Sequence, residues 1–265
     1  MRNRIDELFQ SKAAQGRKAL ITFAVAGDPS LDMTHRLVLA MEHAGADLVE
    51  LGVPYSDPIA EGPVIQAANL RALKNDVKLE TLFHMVEKLR AETQIPLVFL
   101  LYFNCILQYG IDAFFRRCAQ AGMDGVIVPD LPFEESEELS PAAKKYGVRL
   151  IRLVAPTSKE RLAMIAEKAE GFLYCVSSLG VTGIRKDFET DFGQYFKAID
   201  SVKRTPTALG FGISTAEQVR LLRIYADAII VASAIVKQLA EAKSEEGAVL
   251  QVSQFVRELR AALDE

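Results

Sequence analysis

Short apolar runs recur along this chain with helix-like segments between them, and that rhythm narrows its fold more than any single motif. The runs are Ala19–Ala26, Leu48–Val53, Pro96–Phe103, Gly125–Leu131, Arg149–Ala155, Phe172–Ser177, Pro206–Gly212 and Ala228–Ala234. Val, Ile, Leu and Phe dominate them without strict alternation. Strands buried on both faces of a parallel sheet read this way. Amphipathic stretches lie between: Leu31–Ala44, Glu80–Glu92, Ile111–Ala121, Glu134–Tyr146 and Ser158–Ala169. Asp28-Pro29-Ser30, Thr157-Ser158 and Ser214 supply N-cap or first-turn signals. Alternating β and α units imply parallel strands with helical crossovers. About eight units predict an α/β fold, a single (β/α)8 TIM barrel. A doubly wound open sheet is the alternative, since periodicity does not report closure. Arg2–Ala13 predicts an extra N-terminal helix, and Val236–Asp264 a long amphipathic close.

Of the 265 residues, half are apolar and a quarter charged, and no linker or composition break divides them; residues 1–265 read as one domain. Lys and Arg total 31 against 35 for Asp and Glu, with no long basic run, which argues against nucleic acid or an anionic membrane as partner. No apolar stretch approaches the roughly 20 residues that span a bilayer. The first residues mix charges around an amphipathic spacing rather than forming an apolar leader. Cys105, Cys118 and Cys175 are widely spaced without CxxC, and His35, His43 and His84 form no HxH or HExxH, so neither a disulfide framework nor a metal site is expected. These features together predict a cytoplasmic protein.

In such a barrel, catalytic groups sit at the C-terminal ends of strands, and phosphate binds after strands 7 and 8. Glu50 stands at one such end, in Leu48-Val-Glu50-Leu-Gly-Val-Pro54, inside an otherwise apolar run. A carboxylate there is paired, protonated or functional, because burying a lone charge is costly. It could equally bond to a neighbouring strand. The loop that follows, Tyr55-Ser-Asp-Pro-Ile-Ala-Glu61-Gly-Pro, is stiffened by two prolines and holds Asp57 and Glu61 over the barrel mouth. Two carboxylates facing one cavity can divide acid and base duties if their environments separate their pKa values. Gly180-Val-Thr-Gly183, Gly210-Phe-Gly212-Ile-Ser214 and the end of the last run, Ile230-Val-Ala-Ser233, expose backbone N–H groups ahead of helices, as a phosphate dianion requires.

These stretches, with Ala24-Val-Ala-Gly-Asp-Pro29, Gly62-Pro-Val-Ile-Gln66, Gln108-Tyr-Gly-Ile111 and Asp130-Leu-Pro132, resemble the tryptophan synthase alpha family over essentially the full chain. The loop after the second run is the most specific match. The resemblance implies cleavage of indole-3-glycerol phosphate to indole and glyceraldehyde 3-phosphate. It implies that Glu50 is the general acid/base and Glu61 the loop acid that offsets positive charge on the indole N–H, with Tyr174 beside Glu50. Phe23, Leu100, Ile127, Leu153 and Phe211 match the apolar lining, and Gly183, Gly212, Ala232 and Ser233 the phosphate cradle. Thr182 matches a mobile residue reaching back toward the Glu61 loop. Asp57, flanked by Pro54 and Pro58, falls in the family's contact region for a β subunit, as do Asn104 and Pro132. The implied assembly is an α-β-β-α heterotetramer. No cofactor is expected in this chain; pyridoxal phosphate would belong to the β partner.

Two positions depart from the family pattern. Glu61 stands where Asp is usual, one methylene longer, and Ala232 where Gly is usual. A misplacement of ~1 Å can cost on the order of 100-fold in rate, so a catalytically weak subunit that only activates its partner is an alternative. A stand-alone lyase releasing free indole is another, and a different phosphate-sugar isomerase barrel a third.

Overall fold

The apolar runs become parallel strands: β1 (Ala19–Val25), β2 (Leu48–Gly52), β3 (Leu97–Leu100), β4 (Gly125–Ile127), β5 (Arg149–Val154), β6 (Leu173–Val176), β7 (Thr207–Gly210) and β8 (Ala228–Val231). In this computed structural model, which describes residues 3–158, 161–177 and 191–265, they pair in sequence order. β1 also pairs β8, so the barrel closes and the open sheet is excluded. Around it lie α1 (Arg4–Ala14), α2 (Leu31–His43), α3 (Pro63–Leu73), α4 (Leu79–Arg90), α5 (Phe103–Tyr109), α6 (Ile111–Ala121) and α7 (Ser140–Tyr146). α8 (Leu162–Glu167), α9 (Phe192–Asp200), α10 (Ala216–Leu222), α11 (Ser233–Glu241) and α12 (Glu245–Asp264) complete the layer.

Closure explains why the strands do not alternate in polarity. Ile21, Leu48, Val98, Ile127, Ile151 and Ile230 fill the barrel interior, while Leu20, Val49, Phe99, Val126, Leu150 and Ile229 pack under the helices. Both faces are buried, so both must be apolar. The N-terminal helix plugs the lower end with Ile5 and Phe9, the latter 5.7 Å from Phe172 between ring centres. Buried Asp124 fastens this end: it accepts from Arg4 at 2.9 Å, Arg90 at 2.8 Å and the Leu97 N–H at 2.9 Å. The upper end, where the strands finish, is left for chemistry.

Several boundaries differ from the sequence expectation. Val236–Asp264 is not one helix: Ala242 is extended, and Ser244 caps a new helix by accepting from the Gly247 N–H. The predicted Glu134–Tyr146 helix begins as a 3-10 turn (Phe133–Glu138) and becomes α-helical only at Ser140, where Pro141 occupies a first-turn position needing no N–H donor. Thr215, rather than Ser214, caps α10. The helices α3 and α5, at the barrel mouth, carried no clear period in the sequence. No helix among the described residues is long and apolar enough to cross a membrane.

Candidate active site

Glu50 pairs in register with Phe23 of β1 and Val98 of β3 and points into the barrel. It is 1% exposed, and its Oε1 has no hydrogen-bond partner. The structure therefore rejects the reading in which Glu50 bonds to a neighbouring strand. Burial alone lifts its carboxyl from the usual 4.5 to about 8, because a low-dielectric surround penalises the charged form. At neutral pH Glu50 is thus a proton donor. Once it has donated, it is a strong base.

The Pro58–Pro63 segment brings Glu61 over the same cavity, 5% exposed. Its Oε2 accepts from the Tyr102 hydroxyl at 2.8 Å, while that hydroxyl accepts from the Ala60 N–H at 2.9 Å. The Glu61 carbonyl accepts from Gln66 Nε2 at 2.8 Å, tying the loop to α3. Burial raises the Glu61 carboxyl; the Tyr102 hydrogen bond opposes that and favours the ion, and nearby Asp130 adds to the rise. Tyr102 stacks on Tyr55 at 4.8 Å, and Asn104 donates to the Tyr55 hydroxyl at 3.3 Å. Glu61 is held from the β3 side by this aromatic pair.

The cavity is walled by Phe23, Glu50, Glu61, Leu100, Leu153, Tyr174, Phe211 and Ala232, together with Ala60, Ile65 and Pro129. Its two carboxylates face an otherwise apolar lining. Tyr174 meets Phe211 edge to face at 5.8 Å, and burial, with Glu50 and Glu61 nearby, pushes its phenol up. Gly210 is required by this close approach: a Cβ there would lie 2.7 Å from the Tyr174 hydroxyl. Ile127 is not in the wall. β4 ends at Ile127, which lies among the interior residues below, and Pro129, two residues on, takes the wall position.

At the end of β7 the backbone turns into a left-handed conformation at Phe211 (φ 76°) and Gly212 (φ 76°). Such a φ is costly for Phe, and strain of this kind gathers at functional sites. The Ser177 hydroxyl donates to the Phe211 carbonyl, which helps hold the turn. Ala232 has φ −117°, so the position does not need glycine. In this chain the methyl sits on a negative-φ residue that keeps its backbone N–H. Ser233, buried, opens α11, whose first N–H groups have no partner within the helix. Thr182 and Gly183 lie outside the described residues.

On the same strand-end face Pro54 is buried, whereas Asp57, Asn104 and Pro132 are exposed and Pro58 partly so. Ile59, 74% exposed, and Leu107, 55% exposed, add uncovered apolar surface among them. Sequence reasoning missed Tyr102, Ile65 and Pro129. Tyr102 falls within the Pro96–Phe103 run, where its place two residues beyond the end of β3 is the signal that could have found it.

A profile of the tryptophan synthase alpha chain family matches residues 9–264. The tryptophan synthase alpha chain of Thermoanaerobacter sp. (strain X514) is 49% identical over 261 residues, covering 98% of this chain and 100% of that one. Among solved structures, a Mycobacterium tuberculosis tryptophan synthase superposes with a TM-score of 0.91 at 33% identity and full coverage of both chains. The alpha subunit from Legionella pneumophila gives 0.90 at 32%, covering 100% of this chain and 99% of that one. With these likenesses over nearly its whole length, and two buried carboxylates at the mouth of a closed eight-stranded barrel, the chain belongs to the tryptophan synthase alpha chain family.

Proposed function

We propose that Glu50 and Glu61 divide the work of the family's reaction in this chain, Glu50 moving the protons and Glu61 supplying the counter-charge. The chain is a carbon–carbon lyase that cleaves indole-3-glycerol phosphate to indole and glyceraldehyde 3-phosphate. A neutral Glu50 protonates indole C3, which leaves positive charge delocalised to the ring N–H. The resulting carboxylate takes the proton from the hydroxyl on the carbon attached to C3. As that oxygen becomes the aldehyde, the C–C bond breaks and its electrons restore the aromatic ring. Glu50 ends protonated, as it began. Glu61, kept toward its ionised form by Tyr102, offsets the positive charge at the ring N–H. The single observation that carries this division is the environment of Glu50, buried, with an unpartnered Oε1 and a carboxyl lifted to about 8.

Phe23, Leu100, Leu153, Tyr174 and Phe211 would clasp the indole. The phosphate would rest on N–H groups at Gly212, Ala232 and Ser233, with Gly183 and Thr182 contributed from the loop after β6. Inorganic phosphate titrated calorimetrically tests the cradle. Gly212→Asp should abolish binding, since it sets bulk and negative charge beside the dianion. Because φ at Gly212 is 76°, any side chain is strained there, so Gly212→Ala serves as control. We expect a loss of roughly threefold to tenfold from Ala, on the order of 1 kcal/mol of backbone strain, and a much larger one from Asp. Equal affinity in wild type and Gly212→Asp would place the phosphate elsewhere.

The chain's partner is read as a tryptophan synthase β subunit, in an α-β-β-α heterotetramer, with pyridoxal phosphate held by the β chains and none here. Pro54, Asp57, Pro58, Asn104 and Pro132 would lie at the contact. The exposed Ile59 and Leu107 support this, since uncovered apolar groups beside a functional mouth mark binding surfaces. Residues 1–265 are read as one domain acting in the cytoplasm. Titrating β with and without a substrate analogue should show association that the analogue strengthens, by the same factor as β strengthens analogue binding. Absence of association at micromolar concentrations would favour a stand-alone lyase.

A further inference from the structure

Arg152 lies on the outer face of β5, beneath the junction of the Phe133–Glu138 turn, α7 and α8. It is 9% exposed, yet no carboxylate among the described residues comes within ion-pair distance. Its Nη2 donates to Ser140 Oγ at 2.8 Å, and its Cζ stands 5.7 Å from the centre of the Phe133 ring. Its Nε has no hydrogen-bond partner. Buried cations are ordinarily paired, because desolvation outweighs what a single hydroxyl and a ring face return. The acids whose charge reaches it are engaged with other cations: Glu137 with Lys168 at 3.0 Å and Glu170 with Arg149 at 3.8 Å.

Arg152 also lines a cleft of about 160 Å³, room for a small ligand. Its walls mix apolar side chains, Leu131, Phe133, Leu150 and Ile165, with two further polar ones, Ser158 and Arg161, in about equal measure. Pro129 and Leu153 wall this cleft and the catalytic cavity alike. The two spaces are therefore back to back, one inside the barrel end and one outside it.

We propose that this cleft is a second ligand site, which takes a small organic acid by its carboxylate on Arg152 and its apolar body against Phe133, Leu131 and Ile165. A carboxylate would complete the guanidinium's hydrogen bonding and neutralise it, and a guanidinium fork suits a planar oxyanion. The apolar walls select an acid with a ring or short hydrocarbon body over a bare inorganic ion. The site is separate from the catalytic cavity and does not depend on the roles assigned there.

Benzoate is a suitable probe, titrated by calorimetry with indole present at saturation so that the catalytic cavity is occupied. Wild type should bind benzoate saturably. Arg152→Met should weaken binding by about tenfold or more, as expected for loss of a charge-assisted hydrogen bond. It should still fold, since methionine fills similar space without a charge to desolvate. Leu131→Trp, which fills the cleft and leaves Arg152 in place, should weaken binding comparably. No saturable binding to wild type, or equal benzoate affinity in wild type and Arg152→Met, would overturn the proposal.

Discussion

Glu50→Gln should fold, keep its affinity for inorganic phosphate and lose at least about a thousandfold in kcat for indole-3-glycerol phosphate cleavage, or roughly 4 kcal/mol of transition-state stabilisation. An amide of the same shape can neither give a proton to C3 nor take one from the hydroxyl. The wild-type pH profile should carry the same signature. The free enzyme must begin with Glu50 protonated, so kcat/KM should fall as pH rises through about 8. Linkage adds a stability prediction. A carboxyl whose folded pKa is raised favours the folded state most at low pH. That advantage disappears as pH climbs from the ordinary 4.5 through about 8. Glu50→Gln removes this dependence, so above pH 8 the variant should melt at a higher temperature than wild type. A variant that retains more than a tenth of wild-type kcat would remove Glu50 from the proton transfers.

The second large effect concerns Glu61, and its direction follows from Tyr102. The loop acid reaches the Tyr102 hydroxyl at 2.8 Å with its full length; an aspartate, one methylene shorter, would fall short unless the loop moved. Glu61→Asp should therefore lower kcat or leave it unchanged, with a loss up to about tenfold if the hydrogen bond breaks. Glu61→Ala should cost about 100-fold to 1,000-fold, because charge developing on the indole N–H would face an apolar wall without its counter-charge. Tyr102→Phe separates positioning from mere packing. Without the hydroxyl, burial lifts the Glu61 carboxyl further, and the acidic limb of the kcat profile should move to higher pH while phosphate affinity stays constant. Single-turnover cleavage, with each protein saturated by the β subunit, measures these effects. A tenfold gain in Glu61→Asp, with little change in Glu61→Ala, would instead identify a weak subunit kept for its partner.

Some of this was legible without coordinates. Short apolar runs that ignore alternation, rich in Val, Ile and Phe and separated by amphipathic stretches, read as strands covered on both faces, so the α/β class and the order of units followed from residue type and spacing. Glu50 stood out for the same reason: one carboxylate inside such a run is conspicuous wherever it points. The glycines at the end of β7 announced tight backbone, and Gly212 takes a left-handed φ. Tertiary structure decided the rest. Closure depends on β1 meeting β8, more than two hundred residues apart in sequence, and no local pattern reports such a pairing. Pro129 rather than Ile127 reaches the cavity wall because β4 ends at Ile127, which packs among the interior residues below, and composition does not encode that height. Only the coordinates show that Ala232 takes a negative φ, a conformation open to any residue. Tyr102 and Arg152 look like ordinary members of strand runs in the sequence. Their significance lies in what surrounds them, a loop acid at 2.8 Å in one case and a buried Nε without a hydrogen-bond partner in the other. A side chain's chemistry is written in the sequence, but its pKa, its partners and the cavity it faces depend on residues brought near only by folding.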